Sequence, residues 1–426
     1  MTTPVARTGL DVAAVRDHFP ALARTLEGTP IAFLDGPGGT QVPVECIDAM
    51  TAYLRASNAN HGGAFRTSEE TDALLEDVHA AAADFLGTDD PGEVAFGPNM
   101  TTLTLAVSRA IGRDLGPGDE VVVSRLDHDA NIAPWLAMAE DRDATVRWLD
   151  FDPADCTLRL DLLDSVIGER TRIVAVGLAS NAVGTINDVR RIADAARAHG
   201  ALLFVDAVHA APHMPIDVAA LGADLLACSP YKFFGPHLGV LWGRRELLER
   251  LRAYRVRPAG EALPGKWETG TQNHEALAGL MGTFEYLAAL GRAFGGARPS
   301  DPRRAALRAA MEAIRSHERG LIGPLLEGLE AVPGCRVFGL TDPGRVDERV
   351  PTVSFTLDGV HPREVARRLG ERAINVWDGD YYAVEVVRRL GLEESGGMVR
   401  AGLVHYNTVD EIQRLATAVG EIASGS

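Results

Sequence analysis

Two side chains in this sequence have the types and spacing that could support chemistry at an amino group. Asp206 ends the apolar run 202–206, and Lys232 lies in the turn 229–232, which follows the apolar run 225–228. Short apolar runs of this kind predict strands that are buried on both faces of a sheet. A lysine can form a Schiff base with an aldehyde and a carboxylate can keep a pyridine nitrogen protonated, so the pair suits pyridoxal phosphate (PLP).

The same two residues also have an ordinary interpretation. An aspartate at a strand end is often a turn cap, and a lone lysine is usually solvated. Taken alone, the pair leaves PLP chemistry and a plain turn as equal alternatives, and the remainder of the chain must decide between them.

The surrounding pattern predicts how these residues are positioned. From residue 90 to 245, short apolar strands alternate with helical segments. This alternation predicts an α/β fold with a mostly parallel sheet and helices on both faces. Ligands bind to such sheets at the carboxyl ends of the strands. Five polar residues fall at those predicted ends: Thr101, His128, Asn181, Asp206 and Lys232.

Two glycine-containing segments nearer the N-terminus are further candidates for ligand contact. Residues 35–40 form a turn by composition, and residues 59–68 form a polar loop before a predicted helix. Asn60, His61 and Arg66 of this loop could contact a ligand, although a solvated loop is an equal alternative.

The composition limits the class of function. The net charge of −17 argues against nucleic acid and an anionic membrane surface as partners. We find no membrane span and no apolar core of a signal peptide. Cys46, Cys156, Cys228 and Cys335 are far apart, which argues against a disulfide framework and a cysteine-rich zinc site. We therefore expect a cytoplasmic protein that binds no metal and acts on a small molecule.

The length of 426 residues predicts two domains. We predict a large PLP-binding domain at 31–280 and a small domain that combines 1–30 with 281–426. An alternating strand at 352–357 and a helix at 362–369 indicate that the C-terminal part is α+β.

Five segments, in this order along the chain, resemble the class V aminotransferase family of fold-type I PLP enzymes: 180–185, 206–209, 229–232, 267–271 and 400–403. The most similar branch contains the cysteine desulfurases, relatives of isopenicillin N epimerase, and C–S lyases. The resemblance implies a fold-type I PLP-dependent transferase, with a mostly parallel seven-stranded sheet in the large domain and a smaller α+β C-terminal domain. It also implies a homodimer whose active site is shared between subunits.

The resemblance implies a role for each matching residue around the cofactor ring. Lys232 would carry PLP as a Schiff base, and Asp206 would pair with the pyridine nitrogen. His128 would stack on the ring, and Asn181 would bond its phenolic oxygen. His209 stands where many relatives have glutamine, so it would reach the same oxygen or transfer a proton.

Other residues would hold the phosphate and the substrate. Arg400 would clamp the substrate α-carboxylate, a bidentate task that suits a guanidinium. We also expect Asn60, His61 and Tyr382 in the substrate site. The implied phosphate contacts are Met100, Thr101, Ser229, Tyr231 and, from the neighbouring subunit, Thr271.

One departure from the family pattern bears on the reaction. Desulfurases carry a cysteine in the turn after a small-domain strand, where it accepts sulfur as a persulfide; here the aligned residue in the turn 378–383 is Tyr382. A tyrosine cannot take that sulfur, but it can act as an acid or base or wall off the substrate. Trp377 replaces a residue that is basic in typical desulfurases, which predicts a bulkier, more aromatic substrate site.

These residues predict a PLP-dependent enzyme that acts at Cα and Cβ of an amino acid. The leading hypothesis is a C–S β-lyase that acts on cysteine or a cysteine S-conjugate and needs no persulfide cysteine. The alternatives are an amino-acid epimerase and a decarboxylating deaminase or aminotransferase. A PLP-binding protein without turnover is the least favoured, because Lys232, Asp206 and Arg400 occur together.

Overall fold

The central sheet of the computed structural model, which describes residues 9–425, has seven strands. Its spatial order is β1-β7-β6-β5-β4-β2-β3, and only β7 runs antiparallel to its neighbours β1 and β6. The expected mostly parallel seven-stranded sheet is therefore confirmed. In chain order the strands are β1 (Val94–Gly97), β2 (Glu120–Ser124), β3 (Thr145–Leu149), β4 (Thr171–Gly177), β5 (Leu202–Asp206), β6 (Leu225–Cys228) and β7 (Gly239–Gly243).

Most of the central strands are buried and largely apolar because both faces of the sheet are covered, whereas the edge strand β3 is partly exposed. Every residue of β2, β6 and β7 is buried. Successive side chains of a strand point to opposite faces. Accordingly, Leu203 and Val205 belong to one hydrophobic cluster, whereas Phe204 belongs to the cluster on the other face.

Helices connect the strands and cover both faces. The described helices are α1 (Val12–Asp17), α2 (Val44–Ala56), α3 (Arg66–Leu86), α4 (Met100–Gly112), α5 (Ala133–Asp141), α6 (Leu163–Val166), α7 (Val189–Ala198), α8 (Val218–Leu221), α9 (Arg245–Arg250), α10 (His274–Phe294), α11 (Arg303–Glu330), α12 (Pro362–Gly370), α13 (Val384–Arg389) and α14 (Val409–Ala423). Within residues 9–425, no helix is long and apolar enough to cross a membrane.

The C-terminal part contains a second, antiparallel sheet of order β8-β9-β11-β10. Its strands are β8 (Cys335–Phe338), β9 (Thr352–Leu357), β10 (Trp377–Gly379) and β11 (Met398–Gly402). Val353 and Val399 pack in a hydrophobic cluster with residues of α11 and α14. Ser354 and Arg400, which are paired across β9 and β11, carry polar side chains instead.

The chain before the central sheet packs against the C-terminal part. Ala32–Phe33 pairs in parallel with Ile374–Asn375, and Leu34 joins the same cluster as Val353. Helix α10 runs across residue 280, where we predicted the boundary between the domains. The division into 31–280 and 1–30 with 281–426 stays a prediction, and residues 1–8 of it lie outside the described residues.

Candidate active site

A cavity of about 1250 Å³ opens at the carboxyl edge of the central sheet. It lies where the polar strand ends meet the antiparallel sheet of the C-terminal part, as expected for a doubly wound fold. Of the predicted site residues, those that line it are Met100, Thr101, His128, Asn181, Asp206, His209, Ser229, Tyr231, Lys232, Tyr382 and Arg400.

Lys232 reaches the cavity from a single turn of 3-10 helix, Pro230–Lys232, which follows β6. Its Nζ donates a hydrogen bond to the carbonyl oxygen of Pro37 and lies 4.6 Å from the centroid of the Tyr231 ring. Burial and the nearby Arg400 cation lower the pKa of Lys232 to about 7. A large fraction of this amine is therefore uncharged near neutral pH, as a nucleophile or a base requires.

Asp206 is the last residue of β5, and only 8% of it is exposed. Its Oδ1 accepts a hydrogen bond of 2.8 Å from the backbone N–H of Val208. Burial raises the pKa of Asp206 to about 6, while the Lys232 cation acts in the opposite direction. A buried carboxylate facing a cavity is suited to bind a cationic group such as a protonated pyridine nitrogen.

The start of α4 supplies backbone donors to the cavity wall. The Asn99 side chain caps the helix, and the backbone N–H of Met100 donates to Oγ of Ser229 at 3.1 Å. Thr101 follows in the first turn and lines the cavity. A helix N-terminus with hydroxyl side chains favours phosphate because its N–H groups and dipole attract an anion.

The small-domain side of the cavity presents a buried cation. Only 4% of Arg400 is exposed, and its Nη1 donates to the carbonyl oxygen of Asn181 at 2.8 Å. Its guanidinium also lies 4.3 Å from the centroid of the Tyr381 ring. Burial lowers the pKa of Arg400 to about 10, which still leaves the side chain charged at neutral pH.

Two buried polar atoms, one in this cation and one next to it, have no hydrogen-bond partner among the described residues. They are Nε of Arg400 and Oδ1 of Asn181. Buried polar atoms normally have partners. A substrate carboxylate at Arg400 and a ring hydroxyl at Asn181 would provide them, so the residues present fit PLP and an amino acid.

The His128 side of the cavity is aromatic. The rings of His128 and Tyr382 stack with their centroids 5.5 Å apart, and the backbone N–H of Asp129 donates to the carbonyl oxygen of Tyr382 at 2.6 Å. Burial, with Lys232 and Arg400 nearby, lowers the pKa of His128 to about 4, so the ring is neutral. Tyr382 is 71% exposed and has a left-handed φ of 58°, a strained conformation for a tyrosine.

His209 connects the cavity wall to the small domain. Its Nε2 lies 3.0 Å from Oγ1 of Thr352 in β9. Burial lowers the pKa of His209 well below its usual value, so its ring is neutral too. The neutral ring can therefore donate one hydrogen bond and accept another at the edge of the cavity.

Four residues that were expected to contact a ligand do not line the cavity in this chain, and one of them is Arg66, the exposed first residue of α3. Asn60 and His61 lie in an exposed loop, where Nδ1 of His61 is 3.8 Å from Asp72, and Thr271 lies in another exposed segment. The loop turns away because Ser68 and Asp72 of α3 accept its backbone N–H groups. Thr271 was expected from the neighbouring subunit, and contact of these residues with a ligand stays a prediction.

Asp127 is among the residues of the cavity wall that sequence reasoning missed, whereas Gly38 lies in the turn 35–40 that was expected to contact a ligand. Asp127 precedes His128 at the same strand end, and that adjacency was the available signal. Gly38 also lines the cavity, and a side chain built there would collide with the Trp377 indole. In the described part of the chain, no cluster of His, Cys, Asp or Glu could hold a metal ion.

Comparison with known proteins is consistent with this geometry. The family model for class-V aminotransferases matches residues 32–297 and 304–415. A probable cysteine desulfurase of Streptomyces coelicolor is 33% identical over 97% of both chains, and the aminotransferase-like protein FGM3 of Gibberella zeae is 33% identical over 97% of this chain and 99% of its own. The cysteine desulfurase of Thermococcus onnurineus superimposes with a TM-score of 0.84 and 26% identity over 99% of this chain and 100% of its own. The cysteine desulfurase CsdA of Escherichia coli gives a TM-score of 0.81 with 28% identity over 97% of this chain and 98% of its own.

Proposed function

This chain belongs to the class-V aminotransferase family and is a PLP-dependent enzyme similar to cysteine desulfurases, and from that premise we propose that it is a C–S β-lyase. The proposed substrate is cysteine or a cysteine S-conjugate. The reaction converts one substrate and one water into a thiol, pyruvate and ammonium, so no oxidant, reductant or sulfur acceptor is needed.

The observation that carries this proposal is the identity of the residue at the cavity edge. Tyr382 lies there, and a phenol cannot hold a sulfane sulfur. Each of the four cysteines lies outside the cavity lining, and Cys228, beneath Ser229, is fully buried. A β-lyase releases sulfur directly as a thiol. This reaction therefore needs no sulfur-accepting residue in the cavity.

Different residues of the cavity are assigned to binding and to proton transfer. Arg400 would bind the α-carboxylate, and the Asp206 carboxylate would hold the protonated ring nitrogen. When it is bound at Lys232, PLP supplies an electron sink for the charge that develops at Cα. The Lys232 amine would take the Cα proton, because its lowered pKa favours the uncharged form. Tyr382 and Trp377 enclose the Cβ substituent.

The direct test is a product assay with purified holoenzyme. We expect PLP absorbance that changes on addition of an S-substituted cysteine, with release of pyruvate and thiol in equal amounts. Lys232→Ala should bind PLP without the covalent link and release no pyruvate. Absence of PLP from the purified protein, or turnover by the Lys232→Ala variant, would overturn the proposal.

A second candidate, epimerisation at Cα, is favoured by the position of Tyr382. Its phenol lies with His128 beyond the end of β2, whereas Lys232 reaches the cavity from the end of β6. Two groups on different sides of a cleft can remove and return a proton on opposite faces of Cα. Loss of optical activity and uptake of solvent deuterium without pyruvate would select this candidate. Tyr382→Phe should then abolish the loss of optical activity.

We further propose that the enzyme is a homodimer. Helix α2 and the loop after it expose large apolar side chains, namely Ile47, Leu54 and Phe65, at 42%, 51% and 57%. Exposed apolar groups of this size are typical of an interface. The proposal also gives Thr271 a place at a neighbouring active site. Measurement of the mass in solution tests it, and a monomeric active enzyme would contradict it.

A further inference from the structure

A second carboxylate lies beside Asp206 at the sheet edge. Asp127 follows the end of β2, lines the cavity and is only 3% exposed. Its Oδ2 accepts a hydrogen bond of 2.7 Å from Nδ2 of Asn131, which explains one of its oxygens. Its Oδ1 is buried and has no hydrogen-bond partner among the described residues. Asn131 accounts for the first oxygen, and the second faces the backbone of Gly177, which acts to lower the pKa of Asp127 against the effect of burial.

The geometry brings Asp127 towards Asp206 across a glycine. In the sheet, β4 lies between β2 and β5, and its last residue, Gly177, is paired with Asp206. A Cβ at Gly177 would lie 3.1 Å from Oδ1 of Asp127. Glycine at this position leaves room for Oδ1 of Asp127 to pack against the strand residue that is paired with Asp206.

Electrostatics shows that the two carboxylates influence each other. Burial raises the pKa of Asp127 to about 7, and the Asp206 charge acts in the same direction. Of the other titratable groups near Asp206, Lys232 opposes the rise in its pKa, while burial and the Asp206 charge raise the pKa values of Cys228 and Tyr231. Lys232 is thus the cation that acts on Asp206, and it is the residue that would hold PLP covalently.

We propose that Asp127 is a positioning residue for the cofactor. The charge of Asp127 acts through Asp206 to strengthen binding of a protonated ring nitrogen. Two carboxylates in a buried site repel each other, and both attract a nearby cation. A cation placed at Asp206 is therefore stabilised by both carboxylates. The inference rests on the cofactor alone and holds whichever reaction the enzyme performs.

The test compares two ligands that differ only at the ring nitrogen. Full-length wild type and Asp127→Asn are titrated with PLP and with the analogue in which carbon replaces that nitrogen. We expect Asp127→Asn to weaken PLP binding about tenfold, which corresponds to about 1.4 kcal/mol. Binding of the analogue should be unchanged, because it has no protonated nitrogen. Asp141→Asn, at the exposed end of α5, is the matched control and should change neither.

Equal weakening of both ligands by Asp127→Asn, or no weakening of either, would overturn the proposal. If that variant fails to fold, Gly177→Ala provides the same test, because its methyl group crowds Oδ1 of Asp127 and displaces the carboxylate. It should reduce the affinity for PLP and spare the analogue. A PLP spectrum without any lyase or epimerase activity would contradict the proposed function and leave this result interpretable.

Discussion

Replacement of Arg400 by methionine should remove the preference of the enzyme for substrates with an α-carboxylate. Only 4% of Arg400 is exposed, its guanidinium donates to the Asn181 carbonyl oxygen at 2.8 Å, and its buried Nε has no hydrogen-bond partner within residues 9–425. Loss of one member of a buried charged pair costs about 2–5 kcal/mol. A middle value of about 3 kcal/mol predicts a fall in kcat/KM of about 150-fold.

The assay compares an S-substituted cysteine with the corresponding amine, which lacks the carboxylate. Wild type should prefer the amino acid strongly, and Arg400→Met should turn over both with similar kcat/KM. Arg363→Met is the control, because Arg363 lies at the edge of the same cavity with 82% of its side chain exposed. An Arg400→Met enzyme that keeps its preference, or loses activity on both compounds equally, would refute the assignment of Arg400 to the carboxylate.

Three further predictions follow from the site and its surroundings. Because the pKa of Lys232 is lowered to about 7, capture of PLP by cofactor-free protein should accelerate about tenfold from pH 6 to pH 8 and then level off; a rise that continues to pH 10 would contradict this. Glu318 and His213 form a buried pair at 2.8 Å, so Glu318→Ala should cost about 3 kcal/mol and lower Tm, whereas Glu312→Ala on the exposed face of α11 should not; equal Tm values would contradict it. Tyr382→Phe should leave pyruvate release within about twofold if the phenol only encloses the substrate, and a fall of about 100-fold would instead make it an acid or base.

The ends of these strands could be predicted because a strand that is buried on both faces appears in the sequence as a continuous apolar run. Continuous apolar runs identify β5 and β6, and the polar residue after each run falls at the ligand-binding edge. This rule was sufficient to place Asp206 and Lys232 together. Arg400 came from the resemblance, because the alternation of β11 alone does not reveal which polar residue faces the cavity.

The remaining features depend on contacts between distant parts of the chain. Asp127 packs closely against Gly177 because that residue has no side chain, and no local sequence pattern predicts this contact between distant residues. The His213–Glu318 pair joins residues 105 positions apart. Asn60 and His61 were predicted from a polar, glycine-rich loop, which is equally typical of a solvated segment, and one chain does not bring them to the cavity.

The measurement that tests the central claim most directly is identification of the products formed from cysteine by the holoenzyme. A β-lyase that lacks a sulfur-accepting cysteine must release pyruvate, ammonium and hydrogen sulfide in equal amounts, with no sulfur left on the protein. Release of pyruvate in this ratio, absent in Lys232→Ala, is the predicted result. Formation of alanine together with protein-bound sulfur would contradict the account, because it would require a persulfide site that the cavity does not contain.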